Sequence, residues 1–72
     1  MFTETPRQVA DILEYEMGIN PGMDYAYRIA RTAAANGSEM AVLYTEAAGL
    51  LQDRLRRLHA SAESGAFDLG EV

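Results

Sequence analysis

The chain contains, at residues 38–65, the segment SEMAVLYTEAAGLLQDRLRRLHASAESG, which predicts one long amphipathic helix in a protein of only 72 residues. Its apolar residues recur at alternating steps of three and four, the spacing of a coiled-coil seam. The residues of this seam are Ala41, Tyr44, Ala48, Leu51, Leu55, Leu58 and Ala62. Because Ser38 is suited to cap the first turn, we expect a helix over residues 39–63.

A first, shorter helix is predicted near the start of the chain. Thr5 and Gln8 match a capping box, with Pro6 at the first helical position. An apolar stripe follows at helical spacing, formed by Val9, Ile12, Leu13 and Met17. Gly18 suits the end of a helix. We therefore expect this helix over residues 6–17.

A second short helix is predicted over residues 23–35. Its apolar stripe consists of Met23, Tyr27, Ala30 and Ala34. The preceding Asn20-Pro21-Gly22 is typical of a turn, although Asn20 could instead cap a helix with Pro21 at its first position. Asn36-Gly37 ends the segment.

These elements predict an all-α, three-helix domain over residues 1–64, followed by an acidic tail at residues 65–72. A domain of this size is marginally stable alone, and the chain has no cysteine for disulfides or thiolate metal sites. Oligomerisation is therefore the expected source of further stability. Gly49, beside Ala47 and Ala48, is expected to permit a close helix crossing.

The long helix is expected to form a homodimer, because two short helices would cover only its N-terminal half. The predicted interface consists of Tyr44, Ala48, Leu51, Leu55, Leu58 and Ala62.

The charge of the chain is acidic. Eleven Asp and Glu residues stand against six basic residues, all arginine, which gives a net charge of −5. This balance disfavours loose binding to nucleic acid or anionic lipid. The acidic N-terminus does not resemble a signal peptide, and no apolar stretch reaches the ~20 residues that span a membrane. We expect a cytoplasmic protein.

Two groups of polar residues are candidate sites. The first is a partner-binding surface, expected to be acidic and aromatic and to consist of Asp11, Glu14, Glu16, Tyr15 and Tyr25. The second is an anion-binding cluster formed by Arg54, Arg56 and Arg57. The alternative for this cluster is structural: cations near a helix C-terminus complement its dipole, and Arg57 can pair with Asp53 one turn away.

The sequence contains no catalytic motif, metal cluster or phosphate loop, so we expect no enzyme activity and no cofactor. The lone His59 has no second ligand to share a metal. We expect a small regulator or inhibitor that binds a larger protein, one that handles nucleic acid, and occludes its working surface. The alternatives are a nucleic-acid-binding dimer that uses the arginine cluster, and a small helical chaperone or antitoxin.

In size, acidity and helical content the chain is similar in kind to phage-encoded host-takeover proteins such as anti-CRISPR inhibitors. No motif carries this similarity, so it assigns no functional residues.

Overall fold

The computed structural model describes residues 4–64, with side chains to residue 61, and folds them into three helices. These are α1 (Pro6–Met17), α2 (Ile19–Ala35) and α3 (Met40–Ser64). The prediction of an all-α, three-helix domain is confirmed for this part of the chain, which has no strand. The acidic tail at residues 65–72 and the side chain of Ala62 lie outside the described residues. None of the three helices combines the length and hydrophobicity needed to span a membrane.

Helix α1 begins and ends where the sequence predicts. The Thr5 hydroxyl accepts a hydrogen bond from the Gln8 backbone N–H at 3.2 Å, and the Thr5 N–H donates to Gln8 Oε1 at 2.9 Å. This is the expected capping box. At the other end the N–H of Gly18 donates to the carbonyl oxygen of Glu14 at 2.9 Å.

Helix α2 begins at Ile19, four residues before the predicted start. Gly18 adopts a φ of +93°, and this single residue separates the end of α1 from the start of α2. Pro21 lies in the first turn of α2, where no helical acceptor is available for an N–H group. Asn20-Pro21-Gly22 is therefore the first turn of a helix, and the expectation of a turn or an Asn20 cap was wrong.

Helices α2 and α3 form an antiparallel hairpin and share the largest helix–helix interface. They are joined by residues 36–39, where Ser38 Oγ accepts a hydrogen bond from the Met40 N–H at 3.2 Å. Further along the hairpin, Tyr27 Oη donates to Gln52 Oε1 at 3.0 Å. Helix α1 packs against both members of this hairpin.

The core lies where the three helices meet. It is formed by Val9, Ala10, Leu13, Ala26, Ala47, Ala48 and Leu51. Leu51 is 0% exposed and is its largest fully buried side chain. Small alanine side chains let the helix backbones approach closely, so this core is thin.

The core corrects part of the predicted dimer interface. Ala48 and Leu51 are completely buried within their own chain, so they present no surface to a second copy. Tyr44 packs against the core and Leu55 is half-buried. The physical reason is that α1 and α2 both pack over this part of α3, where their buried residues share one core with Ala48 and Leu51.

Among the glycines that the structure describes, the tightest contact is at Gly22, between α1 and α2. A Cβ atom at Gly22 would lie 3.1 Å from the carbonyl oxygen of Leu13, so only glycine fits there without displacement. By contrast, a Cβ atom at Gly49 would meet no atom within 4 Å. The expectation that Gly49 permits a close crossing was therefore wrong, although its neighbours Ala47 and Ala48 are buried.

The C-terminal part of α3 is poorly covered by the other two helices. Every side chain from Arg56 to Ser61 is exposed. Leu58 follows Leu51 by seven residues on the same side of the helix, yet 56% of it is exposed. The core-facing side of α3 thus continues into a segment that α1 and α2 leave largely uncovered. We call residues 56–61 the α3 extension.

Candidate functional site

The outward side of α1 exposes two large apolar side chains together. Tyr15 is 89% exposed and Ile12 is 55% exposed. They stand three residues apart and are therefore neighbours on the helix surface. Exposed polar residues surround them. We call this surface the α1 face: it consists of Gln8, Asp11, Ile12, Tyr15 and Glu16.

Ile12 is exposed although it belongs to the apolar stripe predicted for α1. The structure buries only Val9 and Leu13 of that stripe. Ile12 and Met17 lie at the margins of the buried side and stay largely exposed. The only sequence signal for the exposure of Ile12 was its position beside Leu13, at the edge of the stripe.

An apolar groove lies next to the α1 face, between α1 and α3. Its volume is about 250 Å³. We call it the α1–α3 groove; it is lined by Val9, Ile12, Leu13, Met40, Leu43 and Tyr44, with Glu4 beside them. A second depression of about 340 Å³ adjoins it, lined by Glu4, Gln8, Asp11 and Ile12. Because Glu4 and Ile12 line both, the apolar and the acidic depressions lie side by side.

Arg54 links α3 to α1 through two carboxylates. Its Nη1 donates to Glu14 Oε1 at 2.7 Å, and its Nη2 donates to Asp11 Oδ1 at 2.8 Å. From the sequence we expected Asp11 and Glu14 on a partner-binding surface and Arg54 in an anion-binding cluster. The structure instead pairs them with one another. Asp11 therefore reaches the α1 face with part of its charge already neutralised.

The Arg54 guanidinium stays charged in this arrangement. Burial by itself lowers its pKa, but the hydrogen bonds to Glu14 and Asp11, together with their charges, raise the pKa above its ordinary value. Arg54 is therefore a permanent cation held between two helices.

Replacing Arg54 should weaken the packing of α1 on α3. We expect Arg54→Met to lower the free energy of unfolding by about 1–2 kcal/mol, because a partly buried charge pair is lost while the aliphatic stem is kept. The loss should shrink in 1 M salt, which screens the partly exposed carboxylates. Urea unfolding followed by circular dichroism measures both. Arg56→Met, at an exposed residue of the same helix, is the control and should change stability by less than about 0.5 kcal/mol.

The other predicted site residues are not brought together. Arg57 pairs with Asp53 at 3.0 Å, as predicted, and Arg56 makes no ion pair with the side chains described, those of residues 4–61. Among these side chains the arginine cluster therefore presents one unpaired cation. Tyr25 is partly buried against the core. Glu16 is exposed and, in the same described range, has no ion-pair partner.

Tyr44 has a perturbed hydroxyl beside the α1–α3 groove. Burial raises its pKa, and the charges of Tyr25 and Glu4 raise it further. In the unfolded chain the pKa is about 10. The phenol is therefore neutral in both states at neutral pH and ionises more easily in the unfolded state at alkaline pH.

The Tyr44 shift predicts an alkaline loss of stability. The contribution is complete below pH ~10 and is lost as pH rises from there through the higher folded pKa, because only the unfolded state releases the proton readily. Urea midpoints should therefore fall more between pH 8 and pH 11 for the wild type than for Tyr44→Phe. Equal slopes would contradict the assignment.

Neither a metal site nor a match to known proteins adds to the description of the candidate site. Among the residues described, no group of three or more histidine, aspartate and glutamate side chains is placed to hold a metal ion. No protein-family model matches the sequence, and comparisons with curated proteins and with solved structures found no match.

Proposed function

We propose that this protein is a protein–protein interaction module whose α1 face binds a larger partner. The observation that carries the proposal is the exposure of Tyr15, 89% of which lies in solvent beside Ile12. Tyrosine supplies large contact area with few rotatable bonds, and buried aromatic anchors ringed by polar residues dominate binding energies. The α1 face has this composition.

The charge of the protein supports a partner with a basic surface. The net charge is −5, and Glu16 adds an unpaired carboxylate to the α1 face within the described chain. Complementary charge mainly increases the rate of encounter and selects the partner. A basic working surface, of the kind that takes nucleic acid, would be occluded by this module. The protein would then act as a regulator or inhibitor.

Matched variants test the α1 face against the exposed side of α3. Tyr15→Ala removes the anchor, and Val42→Ala is its control, because Val42 is 63% exposed on the outward side of α3. Glu16→Lys changes the charge of the α1 face, and Glu46→Lys makes the same change at an exposed residue of α3. Each variant would capture partners from native lysate, with quantification by mass spectrometry.

We expect the substitutions in the α1 face, but not those in α3, to reduce the capture of partners. Tyr15→Ala should weaken capture about 30-fold, the loss of a hot spot of about 2 kcal/mol. Glu16→Lys should slow association and reduce its salt dependence. Val42→Ala and Glu46→Lys should capture the same proteins as the wild type. Equal losses in test and control variants would refute the proposal.

We also propose that the α3 extension mediates a homodimer. Leu58 lines a depression of about 460 Å³ with Ile19, Glu14 and Arg57, so one surface offers apolar and oppositely charged groups. A two-fold interface requires such self-complementarity. Light scattering should give a concentration-dependent mass that Leu58→Asp abolishes and Val42→Asp does not. A monomer of 7.9 kDa at all concentrations would contradict dimerisation and leave the α1 face untouched.

A further inference from the structure

We infer that the α1–α3 groove receives one large apolar side chain of the partner, and that a basic residue stands next to this side chain in the partner's sequence. The inference rests on the proposed function and specifies the chemistry of the segment that is bound.

The size and lining of the groove suit a single side chain. Its volume of about 250 Å³ lies below the range of about 300–1,000 Å³ that is typical of small-molecule sites. The lining is apolar and comes from two helices. Met40 adds an unbranched, adaptable side chain, which adjusts to differently shaped apolar groups. An aromatic or long aliphatic anchor meets these conditions.

The charge around the groove determines which residue type is favoured next to the apolar side chain in the partner's sequence. Glu4 lines both the groove and the adjoining depression, and Asp11 lines the latter. Among the described residues that line these two depressions there is no cation. Arg54 engages only Oδ1 of Asp11, which leaves its second carboxylate oxygen for another donor. A partner cation placed here would meet two acidic groups, of which Asp11 is already paired with Arg54 and Glu4 is not part of that ion pair.

The adjacent positions of the two depressions link the preference for an apolar side chain to the preference for a basic residue. Because Ile12 and Glu4 belong to both depressions, an apolar side chain in the groove places the next residue of a peptide over the acidic depression. The preferred segment therefore pairs phenylalanine, leucine or methionine with an adjacent arginine or lysine.

Dipeptide titrations followed by NMR test the inference on the full chain. The probe is N-acetyl-Phe-Arg-amide, and the controls are N-acetyl-Phe-Glu-amide and N-acetyl-Ala-Arg-amide. We expect saturable shifts of the Val9, Leu13 and Leu43 methyl signals, with a Kd of about 1 mM for so small a ligand. The Phe-Glu probe should bind at least about threefold more weakly, a difference in the range of an exposed ion pair. The Ala-Arg probe should not saturate.

A charge variant isolates the acidic contribution. Glu4→Gln should reduce the preference for Phe-Arg over Phe-Glu, whereas Glu39→Gln, at an exposed residue of the α2–α3 connection, should leave it unchanged. Absent shifts, shifts centred elsewhere, or equal affinity for both Phe probes would overturn the inference. Nuclear Overhauser contacts from the Phe2 ring or from a second copy to the Leu43 methyls in the free protein would do the same.

Failure here is distinguishable from failure of the proposed function. If Tyr15→Ala abolishes partner capture while the Phe-Arg probe leaves the groove methyls unchanged, the α1 face binds the partner without the groove. If the probe binds but Tyr15→Ala captures normally, the inference about the groove holds and the α1 face is not the contact.

Discussion

Replacing Leu51 with alanine should lower the free energy of unfolding by about 3–4 kcal/mol. Leu51 is completely buried between the three helices, and truncation removes three carbon atoms and leaves a cavity. Total stabilities of small domains are about 3–5 kcal/mol when one core supplies them, so the variant should keep at most about 2 kcal/mol and unfold at a much lower temperature than the wild type. Thermal and urea unfolding followed by circular dichroism measure the effect.

Val42→Ala is the matched control for this prediction. It also truncates an aliphatic residue of α3, but on the exposed outward side. Its effect should stay within about 0.5 kcal/mol. If Leu51→Ala were as mild as Val42→Ala, the packing of α1 and α2 over the middle of α3 would be wrong.

The second large effect is expected from alanine substitution at Gly22. This substitution should change the free energy of unfolding in the opposite direction to alanine substitution at Gly49. Gly22→Ala should destabilise by about 1–3 kcal/mol, because the new Cβ atom would press on the backbone of Leu13. Gly49→Ala should stabilise by about 0.5–1 kcal/mol, because its surroundings are open and alanine favours helix.

Both glycine variants can be compared in one series of urea titrations. Each replaces glycine by alanine inside a helix, so the intrinsic helix preference contributes about equally. The difference in unfolding free energy then reports the approach of α2 to α1. Stabilisation by both substitutions would show that this approach is looser than the structure has it.

The helices were predictable to the extent that their signals are local. Helix α1 has its capping residues at both ends within the segment itself, and its bounds were predicted correctly. The start of α2 was missed because Pro21 is compatible with a turn and with a first helical turn. The deciding residue was Gly18, whose positive φ lets one helix follow another without a loop.

The candidate site was less predictable because it depends on contacts between distant residues. Arg54 lies 43 residues from Asp11 and 40 from Glu14, and no spacing rule relates them. The α1–α3 groove likewise requires knowing how α1 lies on α3. The sequence did single out Tyr15, at the edge of the α1 stripe, and its role in partner binding stays a prediction.

The alanine-rich core has a thermodynamic consequence. Four of the seven clustered core residues are alanine, so unfolding hydrates little hydrocarbon for a chain of this length. The heat-capacity increment should lie at or below about 12 cal/mol/K per residue, the lower end of the usual range. The stability curve should then be broad and shallow, with a diffuse calorimetric endotherm. Any ligand that binds only the native state would sharpen this endotherm and move it upward by mass action.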